Sequence, residues 1–226
     1  MDKVISNEKY EIYRLSIELA NTSHFTNCYV VKDLITGYMM VIDPSYNAEY
    51  IKECLEKIGV TLDKIYLTHC HGDHISALEE LFNMYDKKVN ILIHENDKDG
   101  IFDDMKNCKY ILGVPNFSTL KEDDINTVKD SETVKVGNTS FEVIHTPGHT
   151  NGSSVLYEKE EDVILSGDTI FSDCFGRTDL KSGSINDMIM SLNKLFDRFK
   201  YSAKIKVFPG HGSSAFIGDI KKVVLY

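Results

Sequence analysis

The feature that most constrains the fold is a group of metal-ligand residues placed directly after a short apolar run. The apolar residues Ile65 to Leu67 predict a strand, and Thr-His-Cys-His-Gly-Asp-His follows at 68–74. This heptapeptide contains four potential ligands, namely His69, His71, Asp73 and His74. Imidazole and carboxylate groups bind borderline divalent ions such as zinc or iron. Because a strand end alternates its side chains and a helix start turns the chain, the heptapeptide is expected to serve two adjacent metal positions.

Composition and charge indicate a globular protein and argue against two classes of partner. The 226-residue chain is 42% hydrophobic and 27% charged, with a formal net charge of −10. Nucleic acids and anionic membranes recruit Lys- and Arg-rich surfaces, so neither is expected as a partner, and a small-molecule substrate is. The sequence has neither an apolar run of the ~20 residues that span a bilayer nor a signal-peptide core, which predicts the cytoplasm.

The length of the chain and the absence of a linker-like segment predict the domain organisation. We found no Pro-, Gly- or Ser-rich stretch in the sequence. Residues 1–226 are therefore expected to form a single domain, or two halves that share one core.

Hydrophobic periodicity predicts strands with helices interspersed, and strands at both ends of the chain. Strands are predicted at 12–19, 28–33, 38–42, 65–67, 89–93, 141–144, 154–157, 163–165 and 205–208. Helices are predicted at 47–58, 75–82 and 185–199, the first of them ending at Gly59. Between 95 and 129 the pattern is weak around Ile-Leu-Gly-Val-Pro at 111–115. Part of this segment is expected to be a loop, either a lid over a site or a surface wrap.

Three further metal-type residues lie at predicted strand ends, and each stands beside glycine. They are His149 in Thr-Pro-Gly-His-Thr, Asp168 in Ser-Gly-Asp-Thr and His211 in Pro-Gly-His-Gly. Glycine lets the backbone turn sharply and approach closely, so such loops can aim their side chains at a shared centre. Together with the heptapeptide they provide ligands for two metals with positions left open for water, the pattern of a catalytic site.

With these residues in place, the sequence resembles the metallo-β-lactamase-fold hydrolases from its opening strands to His211. The resemblance implies an α+β fold, a four-layer αβ/βα sandwich with a dinuclear metal site. It implies two divalent ions, with zinc expected and iron or manganese as alternatives. In the family pattern the first metal would be held by His69, His71 and His149, the second by Asp73, His74 and His211, and both by the bridging Asp168.

Details of the pattern indicate a branch of that family. The β-lactamases proper usually have Cys or Ser in place of Asp168, the nucleases carry an extra clamping domain, and the diiron flavoproteins replace the second histidine by glutamate. The segment Ser166 to Leu180 resembles glyoxalase II, hydroxyacylglutathione hydrolase, in a short form without the C-terminal helical domain that binds glutathione. The resemblance therefore leaves glutathione specificity open.

Two enzymatic hypotheses follow, and a metal-binding protein without catalysis is a third. The first is thioester hydrolysis by a metal-bridging hydroxide, oriented by Asp73 or Asp168 as catalytic residues. The second is a persulfide dioxygenase, because in the persulfide dioxygenases that the sequence also resembles, the residues matching His69, His149 and Asp168 hold one iron as a two-histidine, one-carboxylate set. Arg177 is expected to bind a substrate carboxylate, or to pair with Asp179 instead.

Other metal-type residues are assigned lesser roles. Cys70 and Cys174 are considered as ligands or nucleophiles, but alternation along the strand points Cys70 away from its histidine neighbours. Asp43, before Pro44, is expected either to support a ligand or to form a turn. His94 and His145 are expected to be structural or supporting, and His24 to lie exposed or near the mouth of the site.

Overall fold

The structure is a computed structural model that describes residues 1–19, 22–59, 61–112 and 116–224. Strands in these ranges are β1 Asp2–Ser6, β2 Tyr10–Leu19, β3 His24–Asp33, β4 Tyr38–Ile42, β5 Thr61–Leu67, β6 Asn90–His94, β7 Ile125–Val128, β8 Thr133–Val136, β9 Thr139–His145, β10 Ser154–Glu158, β11 Val163–Gly167, β12 Lys206–Pro209 and β13 Ala215–Phe216. Helices are α1 Ala48–Ile58, α2 Gly72–Ile75, α3 Leu78–Met84, α4 Lys109–Leu112, α5 Ile185–Arg198 and α6 Ile217–Val224.

The strands of each sheet follow one another in chain order. Among the described residues, β1 to β7 form a seven-stranded sheet and β8 to β13 a six-stranded one. In the first sheet β1 to β4 are antiparallel, and β4 to β7 are parallel. In the second, β8 to β11 are antiparallel and β12 lies parallel to β11. The strands predicted at 12–19, 28–33 and 38–42 are confirmed as β2, β3 and β4, which pair as an antiparallel meander.

The two sheets pack face to face, with helices on their outer faces. Alternation places Met40 and Ile42 of β4 in a central cluster that side chains of the second sheet, such as Phe141 and Phe208, complete. The opposite face of the first sheet packs against α1 and α3, and that of the second sheet against α5 and α6. The predicted αβ/βα four-layer sandwich is confirmed, whereas the single domain over 1–226 stays a prediction.

The helices are bounded by the residues that the sequence pattern marks. The side chain of Asn47 accepts a hydrogen bond from the Tyr50 amide at the start of α1, and the amide of Gly59 donates to Leu55 at its end. Ser184 caps α5 in the same way through the amide of Asp187. No helix in the described ranges is long and apolar enough to cross a membrane.

The structure corrects several sequence predictions. The helix predicted at 75–82 is divided, because Ser76 and Ala77 separate α2 from α3. The segment 95–129 contains α4, β7 and three short 3-10 turns as well as loop, and 113–115 lies outside the described residues. The chain was predicted to end in strand, but α6 follows the last strand, and β1, β7, β8 and β13 were not predicted.

Candidate metal centre

The carboxyl ends of parallel strands bring the predicted ligands to one edge of the sandwich. Asp43 follows β4, and the heptapeptide at 68–74 follows β5, which lies parallel to β4. In the second sheet Asp168 follows β11 and His211 follows its parallel neighbour β12, while His149 lies in the loop between β9 and β10. This edge therefore collects all seven predicted metal ligands.

Two of the glycines beside these residues are required by the geometry. Gly148 has φ +136°, and an added Cβ would lie 2.4 Å from the backbone of Met188. At Gly210 an added Cβ would lie 2.3 Å from Oδ1 of Asp168 and 2.6 Å from Cε1 of His74. A side chain at either position would displace the loop that carries a histidine.

The first group of donors consists of His69, His71 and His149. All three are buried, and one ligand atom from each lies within 4.8 Å of the others. Nδ1 of His71 and Nε2 of His149 are 2.8 Å apart. The Nε2 atom of His69 is buried and has no hydrogen-bond partner in the part of the chain that the structure describes. Buried polar atoms are rarely left without a hydrogen-bond partner, so the imidazole nitrogens of these three histidines suit the binding of one shared metal ion.

The second group consists of His74, Asp168 and His211, with Asp73 beside them. One ligand atom from each of the first three lies within 4.8 Å of the others. Nε2 of His211 is 3.2 Å from Oδ2 of Asp73 and 3.3 Å from Oδ2 of Asp168. The same Asp168 oxygen is 3.5 Å from Nε2 of His149 in the first group. Asp168 therefore lies between the two groups, where a bridging carboxylate would be.

Hydrogen bonds behind the cluster orient the imidazoles. Nδ1 of His149 lies 2.7 Å from the carbonyl oxygen of Arg177, and Nδ1 of His211 lies 2.6 Å from that of Phe25. A carbonyl only accepts, so each Nδ1 carries a hydrogen, and Nε2 is the ring nitrogen that faces the centre.

Asp43 supports two more of the histidines. Its Oδ2 lies 2.9 Å from Nδ1 of His74 and accepts a hydrogen bond from the hydroxyl of Thr68 at 2.7 Å. That hydroxyl is in turn 3.0 Å from Nδ1 of His69. Asp43 thus holds His69 and His74 in place, the supporting role that was one of its two expected roles. One ligand atom from each of these three residues also lies within 4.8 Å of the others.

Burial and charge give the histidines different protonation states. Burial, assisted by neighbouring imidazoles, lowers the pKa of His69 well below its usual value and that of His71 to about 3. Both are therefore neutral near pH 7, the form that binds a metal. Burial acts in the same direction on His211, but Asp168 and Asp73 outweigh it and raise the pKa of His211 to about 10.

The carboxylates are held ionised. Burial acts against the charge of Asp73 and Asp168, but the positive charge and hydrogen bonds of His74 and His211 outweigh it and lower the pKa of both carboxyls well below the usual value. Two adjacent buried anions need positive charge between them. A divalent ion would supply that charge, so the donor set fits two metal ions bound side by side.

The remaining predicted residues lie around the cluster. The guanidinium of Arg177 forms a two-bond ion pair with Asp179, at 2.8 Å for each bond, so its predicted role in substrate binding stays a prediction. His24 is half exposed at the mouth, as expected, with Nε2 3.2 Å from Oδ2 of Asp73. His94 and His145 stack on each other at 3.9 Å, away from the ligand groups.

Neither of the two cysteines considered in the sequence joins a ligand group among the described residues. Cys70 is buried, with its sulfur 3.9 Å from the carbonyl oxygen of Lys106, and Cys174 is exposed. The predicted orientation of Cys70, away from its histidine neighbours, is therefore confirmed.

Sequence analysis missed Asp97, a buried carboxylate that joins two of the ligand loops. Its Oδ2 accepts from the amide of Cys70 at 3.1 Å and from the hydroxyl of Thr150 at 2.6 Å, and its Oδ1 accepts from the amide of Gly152 at 2.6 Å. The residue lies in the weakly patterned segment after β6, where no motif marks it. It ties the heptapeptide to the loop that carries His149.

The cluster opens into a cavity of about 290 Å³. Ligand-type side chains form its floor, among them His71, Asp73 and Asp168. Apolar side chains form the walls, namely Ile111, Leu112, Phe171 and Leu180. A small molecule can thus reach the polar cluster through an apolar mouth.

Comparison with known proteins shows the family to which the chain belongs. Residues 21–211 match the model of the metallo-β-lactamase superfamily. The chain belongs to this superfamily. Members of this superfamily are mostly metal-dependent hydrolases, and the His and Asp clusters described above suit a dinuclear metal site.

Relatives of this superfamily member include proteins with hydrolase names. A probable metallo-hydrolase of Bacillus subtilis, YqgX, is 33% identical over 76% of this chain and 79% of its own. The hydroxyacylglutathione hydrolase GloC of Haemophilus influenzae is 29% identical over 92% of this chain and 96% of its own. This similarity extends across nearly the whole of both chains.

Solved structures of the superfamily share the architecture. The crystal structure of the B3 metallo-β-lactamase BLEG-1 has a TM-score of 0.81 at 25% identity, covering 93% of this chain and 96% of its own. The di-iron-bound form of TTHA1623 has a TM-score of 0.77 at 25% identity, covering 94% and 98%. The second of these contains two iron ions.

Removal of bound ions by a chelator is expected to lower the thermal unfolding midpoint by about 10 °C, because a ligand present at ~1,000 times its dissociation constant stabilises by ~4 kcal/mol. Differential scanning calorimetry with metal analysis of the same samples measures the shift. Re-addition of zinc should restore the midpoint. An unchanged midpoint after complete metal removal would contradict the proposed metal centre.

Proposed function

We propose that this protein is a dinuclear metal-dependent hydrolase that cleaves the thioester of a small molecule, for which a hydroxyacylglutathione is the reference substrate. The observation that carries the proposal is the position of Asp168. It lies between two groups of histidines at the floor of a cavity, within 3.5 Å of Nε2 of His149 and 3.3 Å of Nε2 of His211. The similarity to GloC supports a thioester as the substrate.

We assign the ligands as the family pattern implies. One ion would be held by His69, His71 and His149, the other by Asp73, His74 and His211, and both by Asp168. Zinc is the expected ion because its ligands are typically imidazole and carboxylate, and iron or manganese is the alternative. Bound there, two such ions would polarise a carbonyl oxygen and lower the pKa of a water from about 15.7 to about 7.

Two carboxylates of the chain, Asp73 and Asp168, would position the water that attacks the thioester. Asp73 and Asp168, held ionised, would accept hydrogen bonds from the attacking water and orient it toward the carbonyl carbon. Addition of the water oxygen to the carbonyl carbon would form the new carbon–oxygen bond, with the proton of the water released to solvent. The carbon–sulfur bond would break in the elimination that follows, and the sulfur would leave with the electron pair as thiolate. A thiol has a pKa of about 8.5, so the thiolate can leave without a dedicated general acid.

A second candidate function is persulfide oxidation at one iron. His69 and His149 belong to one ligand group, and Oδ2 of Asp168 is 3.5 Å from Nε2 of His149. These three residues form the two-histidine, one-carboxylate set that leaves iron positions open to oxygen. The di-iron form of a structural relative supports iron as an ion that this fold accommodates.

The two functions are separated by metal content and by product. We expect about two zinc ions per chain and release of free thiol from S-lactoylglutathione, measured by metal analysis and a thiol-reactive dye. The same preparation should consume no oxygen with glutathione persulfide. One iron per chain, oxygen uptake with the persulfide and an intact thioester would replace hydrolysis by the dioxygenase function. A β-lactam should be tested beside these two substrates, because a B3 metallo-β-lactamase is among the structural relatives.

A further inference from the structure

The cavity over the metal centre lies next to a second cavity, with which it shares three lining residues. The first has a volume of about 290 Å³ and the second about 270 Å³. Both are lined by Cys108, Ile111 and Leu180, which form the boundary between them. Small-molecule sites typically measure ~300–1,000 Å³, so each cavity alone falls just below that range, and a ligand that occupies both would have a groove within it.

Exposed apolar side chains concentrate along the outer cavity. Met105, Tyr110 and Ile111 line it with exposed fractions of 60%, 79% and 69%. They belong to α4 and to the turn that precedes it. Exposed apolar side chains that form one contiguous surface mark a binding site, whereas single ones are ordinary. Here the surface leads directly to the proposed reaction centre.

The charged groups of the outer cavity are largely engaged with one another. Asp179 is taken by the two-bond pair with Arg177, and Asp104 lies 3.1 Å from Nζ of Lys109. The exposed Lys181 lines the rim, where its methylene stem can cover apolar surface. A groove with paired charges and apolar walls suits a hydrocarbon chain better than the charged peptide of glutathione.

We propose that the outer cavity binds the apolar acyl chain of the thioester substrate. This inference rests on the proposed thioesterase function and makes it more specific. With the carbonyl carbon at the metal centre, one substituent of the thioester must run along the groove past Cys108, Ile111 and Leu180. The thiol carriers of metabolism are polar, so the apolar substituent is the acyl chain. The preferred substrate is then a medium-chain acyl thioester and not a 2-hydroxyacyl one.

The test is a series of coenzyme A thioesters of increasing chain length, from acetyl to octanoyl, with S-lactoylglutathione as the reference. Burial of each added methylene group should raise kcat/KM about fourfold until the groove is filled. Thiol release by the metal-loaded protein measures the rates. We expect the longer thioesters to exceed both the acetyl thioester and S-lactoylglutathione.

Two matched variants test whether the dependence of kcat/KM on chain length arises in this cavity. Ile111→Asp places a charge in the wall shared by the two cavities and should remove most of the dependence of kcat/KM on chain length, measured as the ratio of the octanoyl to the acetyl value within the same variant. Met190→Asp on α5 is the control, because Met190 has the same exposed fraction, 69%, and lines neither cavity. It should leave the whole series unchanged.

The outcomes separate the inference from the function on which it rests. Thioester hydrolysis that is independent of chain length, or fastest with S-lactoylglutathione, would overturn the acyl-chain inference and leave the thioesterase proposal intact. A dependence on chain length that survives Ile111→Asp would overturn the placement of the chain in this groove. Failure of the metal-loaded protein to hydrolyse any thioester would overturn the proposed function itself.

Discussion

Replacement of Asp168 by alanine is expected to reduce thioester hydrolysis at least about 1,000-fold, a loss of ~4 kcal/mol of transition-state stabilisation. One oxygen of this carboxylate lies within 3.5 Å of Nε2 of His149 and Nε2 of His211, which belong to different ligand groups. Its removal takes a ligand from both proposed metals at once. Metal content should therefore fall from two ions per chain to one or none, as measured by metal analysis alongside steady-state rates.

Two companion variants distinguish loss of the site from loss of the fold. Asp168→Asn keeps the size of the side chain, removes its charge, and should lose activity with an unchanged circular dichroism spectrum. Asp173→Ala alters an exposed acid five positions later and should retain both ions and the full rate. If Asp168→Ala retained two ions and its activity, the bridging assignment would be wrong.

The metal centre could be predicted because several of its proposed ligands lie close together in the sequence. Four proposed ligands lie within one heptapeptide, whose spacing after a strand already restricts where the side chains can point. The distant partners His149, Asp168 and His211 could be found because glycines beside strand ends mark places where a backbone must turn or approach closely. At Gly210 the structure gives the reason, since a Cβ there would collide with Asp168.

The missed elements carry weak patterns for physical reasons. The strand β7 buries only Ile125 and Val128, and in β1 no residue is fully buried, so neither shows an alternation long enough to recognise. The helix α6 buries only Ile217 and Ile220, less than a full apolar stripe. These short elements form because neighbouring strands and helices stabilise them, and a single-sequence pattern does not contain that contribution.

Asp97 could not be predicted because its function lies in contacts that are distant in sequence. It follows β6 among other acidic residues, and nothing in the local sequence distinguishes it from Asp99, which is two positions later and exposed. Only the folded chain brings it against the amide of Cys70 and the loop after His149. Residues that align ligands through backbone amides leave no spacing motif.

Replacement of Asp97 by alanine should therefore weaken both the fold and the metal centre. Burial raises the pKa of this carboxyl, although hydrogen bonds from Thr150, Gly152 and Cys70 act in the opposite direction. Its removal leaves the buried amides of Cys70 and Gly152 without this acceptor, at a cost of about 2–4 kcal/mol in the free energy of unfolding. The two ligand loops also lose their connection, so metal affinity should fall about 10- to 100-fold. Urea unfolding of the metal-free protein and competitive metal titration measure the two effects separately.

The control is Asp99→Ala, which removes an exposed acid paired with Lys106 and should change the free energy of unfolding by less than ~1 kcal/mol. If the alanine variant does not fold, Asp97→Asn provides the comparison, because asparagine has nearly the same volume as aspartate. Its side-chain oxygen can still accept one of the hydrogen bonds, but its NH2 group cannot accept from the amides of Cys70 and Gly152. Reduced metal affinity in Asp97→Asn, at a stability close to that of the parent protein, would assign the carboxylate a role in aligning ligands beyond packing. Unchanged metal affinity in both variants would mean that the His149 loop holds its position without this carboxylate.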